Sequence, residues 1–138
     1  MKLILVLTAA SVLALSQSKS HGQEMSYGET EYRNSCAVCH GPDGMGDGPL
    51  AEELVKRPAD LTRLSEQNGG EFPYNRIFAV IDGRYLVPGH GDREMPVWGR
   101  QFLEQDSKMY GPSGGEILAT ERIHELVGYI QSLQRLQR

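Results

Sequence analysis

The sequence predicts an all-α domain in which short helices are separated by long loops. Apolar residues recur at helical spacing over residues 116–136, a segment with one glycine and no proline. No strand-like alternation of polar and apolar residues persists anywhere in the chain. Residues 41–49 contain four glycines and two prolines, which is the composition of a loop.

The first sixteen residues have the pattern of a secretory signal peptide. Lys2 precedes an uncharged run over residues 3–15, and small and polar residues follow. A membrane-spanning helix needs about 20 apolar residues, so this shorter run favours export over an uncleaved anchor. We predict a signal peptide over residues 1–16, with cleavage as late as residue 20, and one domain over residues 24–138. A periplasmic protein without membrane insertion is therefore expected.

The formal net charge is −4, and it becomes more negative when Lys2 leaves with the signal. Because nucleic-acid-binding domains are generally basic, this charge argues against a nucleic-acid partner. A mildly acidic surface suits a protein partner with a basic docking patch, since charge steers encounter. An ordinary soluble surface explains the same charge equally well.

The predicted elements begin with a helix over residues 28–36, in which Gly28, Tyr32 and Cys36 share one stripe. Proline, glycine and hydrophobic spacing predict the rest. These elements are a helical turn over 50–54, an extended segment over 57–62, a turn at 68–70, a helix over Tyr74–Asp82 ending at Gly83, a loop over 84–94, a short helix over 97–103, a flexible insertion over 107–115 and the last helix.

The pentapeptide Cys36-Ala37-Val38-Cys39-His40 contains both cysteines of the chain. The pattern C-x-x-C-H is that of covalent haem attachment, in which the thiols add to haem vinyl groups and the histidine ligates iron. A disulfide, a zinc site and a thioredoxin-like pair are the alternatives. No second ligand pair exists for zinc, and no βαβ context exists for a thioredoxin. One covalently bound haem c per chain is the prediction.

Met95 is the candidate for the opposite axial ligand among five methionines. Met45 is too close to His40 in sequence to cross easily to the other face of a haem. His90, five residues before Met95, is the rival ligand. His21 and His124 are expected to be surface residues.

The order of these motifs resembles that of a class I c-type cytochrome, the small bacterial periplasmic kind. The Gly28 and Tyr32 stripe is similar to the family's N-terminal helix, and Leu126 and Tyr129 to the pair on the crossing C-terminal helix. The resemblance implies a cytochrome c fold, with short helices and long loops wrapped around one covalently bound haem. Gly28 would allow close approach of the two backbones, and the two tyrosines would meet edge to face.

The resemblance also implies roles for single residues. The pair Met95-Pro96 matches the family's methionine loop, so His40 and Met95 are the expected axial ligands. The loop over 44–50 is similar to the family's loop after the ligating histidine. It implies that the Pro49 carbonyl accepts the second N–H of the imidazole, which fixes the ring, and that Leu50 lies against the haem plane.

Residues around the haem propionates are less specified by the sequence. Trp98 either donates its indole N–H to a propionate or simply packs. Four arginines are candidates for bidentate pairing with a propionate, with a slight preference for the first. They are Arg57, Arg76, Arg84 and Arg93.

These features favour an electron carrier over an enzyme, and no catalytic acid, base or nucleophile is expected. The expected carrier is a monomer that shuttles electrons between periplasmic or membrane redox partners, such as a dehydrogenase or a terminal oxidase. One alternative is a haem-bearing electron-acceptor subunit of a periplasmic dehydrogenase complex. Another is a gas-binding haem sensor or peroxidase-like protein, which would require an open sixth position on the iron.

Overall fold

The computed structural model of the protein describes residues 25–84 and 95–135. Within these ranges all regular structure is helical and no strand occurs, as predicted. Four α-helices form: α1 (Tyr27–Ser35), α2 (Ala37–His40), α3 (Tyr74–Asp82) and α4 (Trp98–Ser132). Three single turns of 3-10 helix lie between α2 and α3: Ala51–Glu53, Leu61–Arg63 and Glu66–Asn68. The predicted signal peptide and His21 lie outside the described residues.

The core forms where α1 and α3 pack on α4. Five large side chains are almost completely buried there: Tyr32, Phe102, Ile123, Leu126 and Val127. Four of them lie on α4, whose apolar stripe therefore supplies most of the core. None of the helices in the described ranges has both the length and the apolar character needed to cross a membrane.

The crossing of α1 over α4 occurs at Gly28, as predicted. A Cβ added to Gly28 would overlap the carbonyl oxygen of Glu125 and lie 3.2 Å from the Cβ of Tyr129. The rings of Tyr32 and Tyr129 meet with centroids 5.1 Å apart, but their planes are inclined by 50° rather than edge to face. The Ser26 hydroxyl caps α1 by accepting from the N–H of Glu29 at 3.1 Å.

The prediction of a flexible insertion over residues 107–115 was wrong, because this stretch is part of α4. Only Gly111 leaves the helical conformation, at φ 72° and ψ 173°, and it kinks the helix. Pro112 follows as the first residue of the next turn, where its missing N–H is not needed. The chain then folds back closely, since a Cβ on Gly115 would lie 2.6 Å from the backbone nitrogen of Ser107.

The predictions for the middle of the chain are largely confirmed. Helix α3 has the predicted bounds, and Gly83 ends it at φ 59°. The turn expected over 50–54 is present as Ala51–Glu53. The extended segment ends earlier than expected, because the Asp60 carboxylate accepts from the Thr62 N–H at 2.9 Å and from its hydroxyl at 2.6 Å. These bonds start a 3-10 turn at Leu61.

Candidate functional site

The two cysteines lie at the junction of α1 and α2. The N–H of Cys36 donates to the carbonyl of Tyr32 at 2.8 Å, and Cys36 ends α1. Both thiols are free, with Cys36 buried and Cys39 half-buried. Burial, followed by the nearby Glu31 charge, raises the pKa of the Cys36 thiol to about 12.

His40 closes the same turn, and its ring orientation is fixed by a backbone carbonyl. Nδ1 lies 3.1 Å from the carbonyl oxygen of Ala59. Because a carbonyl only accepts, Nδ1 carries the hydrogen in this bond and Nε2 is left with its lone pair. Burial lowers the pKa of His40 although the bond to Ala59 opposes this shift. The ring is thus neutral with the lone pair on Nε2, the form in which imidazole ligates a metal.

The carbonyl that meets His40 is not the one predicted. Pro49 was expected to accept from the imidazole, but Ala59 does so and Pro49 is exposed. Backbone bonds explain the difference. The N–H of Leu50 donates to the Val38 carbonyl at 2.9 Å and fixes the segment containing Pro49 beside α2. Leu50 is 45% exposed, and its place against the haem plane stays a prediction.

Ala59 reaches His40 because the loop after α2 is closely packed. The N–H of Leu61 donates to the Gly44 carbonyl at 2.7 Å, which brings the segment of Ala59 back to this loop. Gly46, at φ 75°, lies against the Pro58 carbonyl, where no Cβ would fit. The Arg57 Nε donates to the Gly46 carbonyl at 3.3 Å. No side-chain signal in the sequence marks Ala59, since every residue carries the same carbonyl.

Trp98 is the first residue of α4, and Met95 lies three residues before it. Met95 is half-buried and packs against the core cluster to which Cys36 also belongs. Trp98 stacks on Phe102 with centroids 5.7 Å apart and planes inclined by 30°, which is the packing role considered for it. Met45 is an exposed residue of the loop after α2. The rival ligand His90 lies outside the described residues.

The candidate propionate partners differ in what they already contact. Arg84 is paired with two carboxylates, Asp82 at 2.6 Å and Glu116 at 2.7 Å, which argues against its proposed role. Arg57 is exposed and donates from Nε to the Gly46 carbonyl, and its role as a propionate partner stays a prediction. Arg93 lies beyond the described ranges.

His124 occupies the surface of α4, as expected. Its Nδ1 lies 2.9 Å from the hydroxyl of Tyr74, and its ring is 4.6 Å from that of Phe78. This histidine therefore connects α3 with α4 and takes no part in the site around His40.

Two free thiols and an oriented histidine in the first turns of a helical domain are typical of proteins that bind haem covalently. The family model described as cytochrome c matches residues 25–134. The chain belongs to the cytochrome c family, as a class I c-type cytochrome, and it is a haem-binding electron-transfer protein. Comparisons with curated proteins and with solved structures gave no match.

Proposed function

We propose that the chain is a single-haem electron carrier with His40 and Met95 as axial ligands. Cys36 and Cys39 would hold one haem c through two thioether bonds. The observation that carries this proposal is the contact between His40 and Ala59, which leaves the lone pair on Nε2 in a histidine that directly follows the second cysteine. The donor set of two thiols, one oriented imidazole and one thioether fits haem c.

When bound, the haem supplies a reversible couple of ferric and ferrous iron. The protein's own residues set how that couple behaves. The Ala59 carbonyl orients the His40 ring and raises its basicity as a ligand. Met95 would provide a soft thioether that favours ferrous iron and closes the sixth position to exogenous ligands. The proposal assigns no catalytic acid, base or nucleophile to the chain.

The proposed setting is the periplasm, reached with the signal over residues 1–16. There the protein would act as a monomer between redox protein partners, such as a dehydrogenase and a terminal oxidase. The negative net charge supports a partner with a basic docking surface, because opposite charges accelerate encounter. Covalent attachment supports a carrier that keeps its cofactor while it diffuses outside the cytoplasm.

A second candidate is a permanently bound electron-acceptor subunit of a dehydrogenase complex. It is favoured by three exposed apolar side chains near the kink of α4: Met109, Tyr110 and Ile117. Tyr27 and Leu118 line a cleft of about 310 Å³ together with Met109 and Tyr110. Gel filtration of the native protein separates the two roles, since a free carrier elutes as a monomer and a subunit elutes within a larger complex.

Two measurements test the haem assignment. The intact mass should equal that of the mature chain plus one haem, and acidified butanone should not extract the colour. Met95→Ala should remove the weak long-wavelength sulfur-to-iron absorption of the oxidised protein, lower the reduction potential and allow carbon monoxide to bind. The matched His90→Ala variant should change none of these. The reverse result would identify His90 as the ligand, and rapid carbon monoxide binding by the unmodified protein would favour a gas sensor.

A further inference from the structure

Three charged residues form a cluster at the point where α3 ends. Arg84 donates from Nε to the carboxylate of Asp82 at 2.6 Å and from Nη1 to both oxygens of Glu116, at 2.7 and 2.9 Å. The Asp82 side chain is 4% exposed and that of Arg84 18%, whereas that of Glu116 is half-exposed. The Arg84 cluster, as we call Asp82, Arg84 and Glu116, therefore links the end of α3 to the second half of α4.

The first turn of α4 rests on the same residues. A Cβ added to Gly99 would lie 2.6 Å from the carbonyl oxygen of Asp82 and 2.9 Å from Nε of Arg84. Gly83 lies beside Val97, where an added Cβ would be in ordinary van der Waals contact with the Val97 Cα at 3.4 Å. The chain that leaves α3 and the chain that enters α4 are thus in contact, with the guanidinium beside both.

Met95 comes two residues before Val97 and four before Gly99. Its position therefore depends on how firmly the first turn of α4 is held against Asp82 and Arg84. Without the guanidinium, the Asp82 carboxylate would be buried with no cationic partner among residues 25–84 and 95–135, which is costly. The first turn of α4 would have to move for water to reach that carboxylate, and Met95 would move with it.

We propose that Arg84 is a positioning residue for the distal ligand: through Asp82 and Glu116 it fixes the start of α4 and thereby keeps Met95 on the iron. The inference rests on the proposed function, in which Met95 is that ligand. It replaces the role of Arg84 as a propionate partner. Arg84 thereby lowers the fraction of protein in which Met95 has left the iron.

Exogenous imidazole measures that population in the oxidised holoprotein, because it binds the iron only where Met95 has left. The apparent affinity of such a ligand scales with the fraction of protein in the competent state. Arg84→Gln should therefore tighten imidazole binding by about tenfold or more. Arg84→Lys should have a smaller effect, since it keeps the charge and loses the forked geometry. Glu116→Gln should also have a smaller effect, because Glu116 is half-exposed.

Arg63→Gln is the matched control, since it breaks an exposed pair with Glu66 on a separate turn of the chain. It should leave imidazole binding unchanged. The double variant Arg84→Gln, Met95→Ala should bind imidazole no more tightly than Met95→Ala alone, because no ligand remains to be positioned.

The outcomes separate the two proposals. If Arg84→Gln lowers the Tm while imidazole binds as in the unmodified protein, Arg84 is merely structural and the inference is overturned. If Met95→Ala keeps the long-wavelength absorption, the ligand assignment fails and the inference fails with it. Tighter imidazole binding that persists in the double variant would also overturn the inference, since Met95 would then not carry the effect.

Discussion

Gly28 of α1 lies directly against the carbonyl oxygen of Glu125 in α4, with no room for a side chain between them. We expect Gly28→Ala to destabilise the holoprotein by about 1–3 kcal/mol, because the new methyl group forces the helices apart. The gain in helix propensity from alanine offsets only part of this cost. The free energy of unfolding in denaturant measures the change.

Gly128→Ala is the control for that variant. Gly128 is an exposed residue of α4, and an added Cβ meets no atom within 4 Å. Alanine should therefore stabilise the protein by roughly 0.5–1 kcal/mol through helix propensity alone. If both variants change stability in the same direction, the crossing at Gly28 is not as close as described.

Tyr32→Phe tests the bond between the core and the haem-motif loop. The buried Tyr32 hydroxyl donates to the Gly41 carbonyl at 2.8 Å, directly after His40. The carbonyl also accepts from the Gly44 N–H, so it keeps one partner in the variant. We expect a loss of about 1 kcal/mol, measured by denaturant unfolding. Tyr74→Phe, which removes an exposed hydroxyl, should cost less than about 0.5 kcal/mol, and an equal cost would contradict the argument.

Arg122 joins α1 to both halves of α4 and should be the most sensitive charged residue of the fold. It contacts Glu31 at 2.9 Å and Asp106 at 3.1 Å, and its guanidinium lies 3.9 Å from the centroid of the Phe102 ring. One oxygen of Asp106 is already buried without a hydrogen bond. Arg122→Leu should destabilise the protein by about 3–5 kcal/mol, because two carboxylates lose their partner.

Two further variants check this reading by thermal and denaturant unfolding. Arg33→Leu removes an exposed pair with Glu29 and should cost less than about 0.5 kcal/mol. Adding Glu31→Gln to Arg122→Leu should recover part of the loss, since one uncompensated charge is gone. An additive result would show that Glu31 and Arg122 do not interact.

Asp60 should make stability depend on acid pH. Burial raises its pKa, but the two hydrogen bonds from Thr62 and the charges of Arg135 and Arg63 outweigh it, so the pKa lies below its ordinary value. A lowered native pKa adds stability above the unfolded pKa of about 3.9 and loses it as pH falls through the native value. Asp60→Asn keeps an accepting oxygen without titrating. As the pH falls from about 5 to about 3, the Asp60→Asn variant should lose less stability than the unmodified protein. The difference between the two losses should be well under 1 kcal/mol.

Local patterns were enough to predict several features of the fold. The spacing of apolar residues and the glycine at position 83 were enough to predict the bounds of α3. Hydrophobic periodicity and the positive φ of a helix-ending glycine both depend only on residues close in sequence. Spacing placed Gly28 and Tyr32 on one stripe, and the family resemblance implied that this stripe crosses the last helix, as the close contact between Gly28 and Glu125 confirms. The motif of Cys36, Cys39 and His40 is likewise contiguous, and the roles of these residues and of Met95 toward haem stay predictions.

The sequence by itself determined the helical class, the haem motif and the bounds of α3, because these depend on neighbouring residues. Only the tertiary structure decided that Ala59, and not Pro49, meets His40, since a carbonyl has no side-chain signal and the loop path follows from distant backbone bonds. It also decided that the chain is helical on both sides of Gly111, where α4 bends back on itself. The glycines there suggested a loop, but Gly115 packs on Ser107 and Phe102 is buried in the core, and such burial outweighs local propensity.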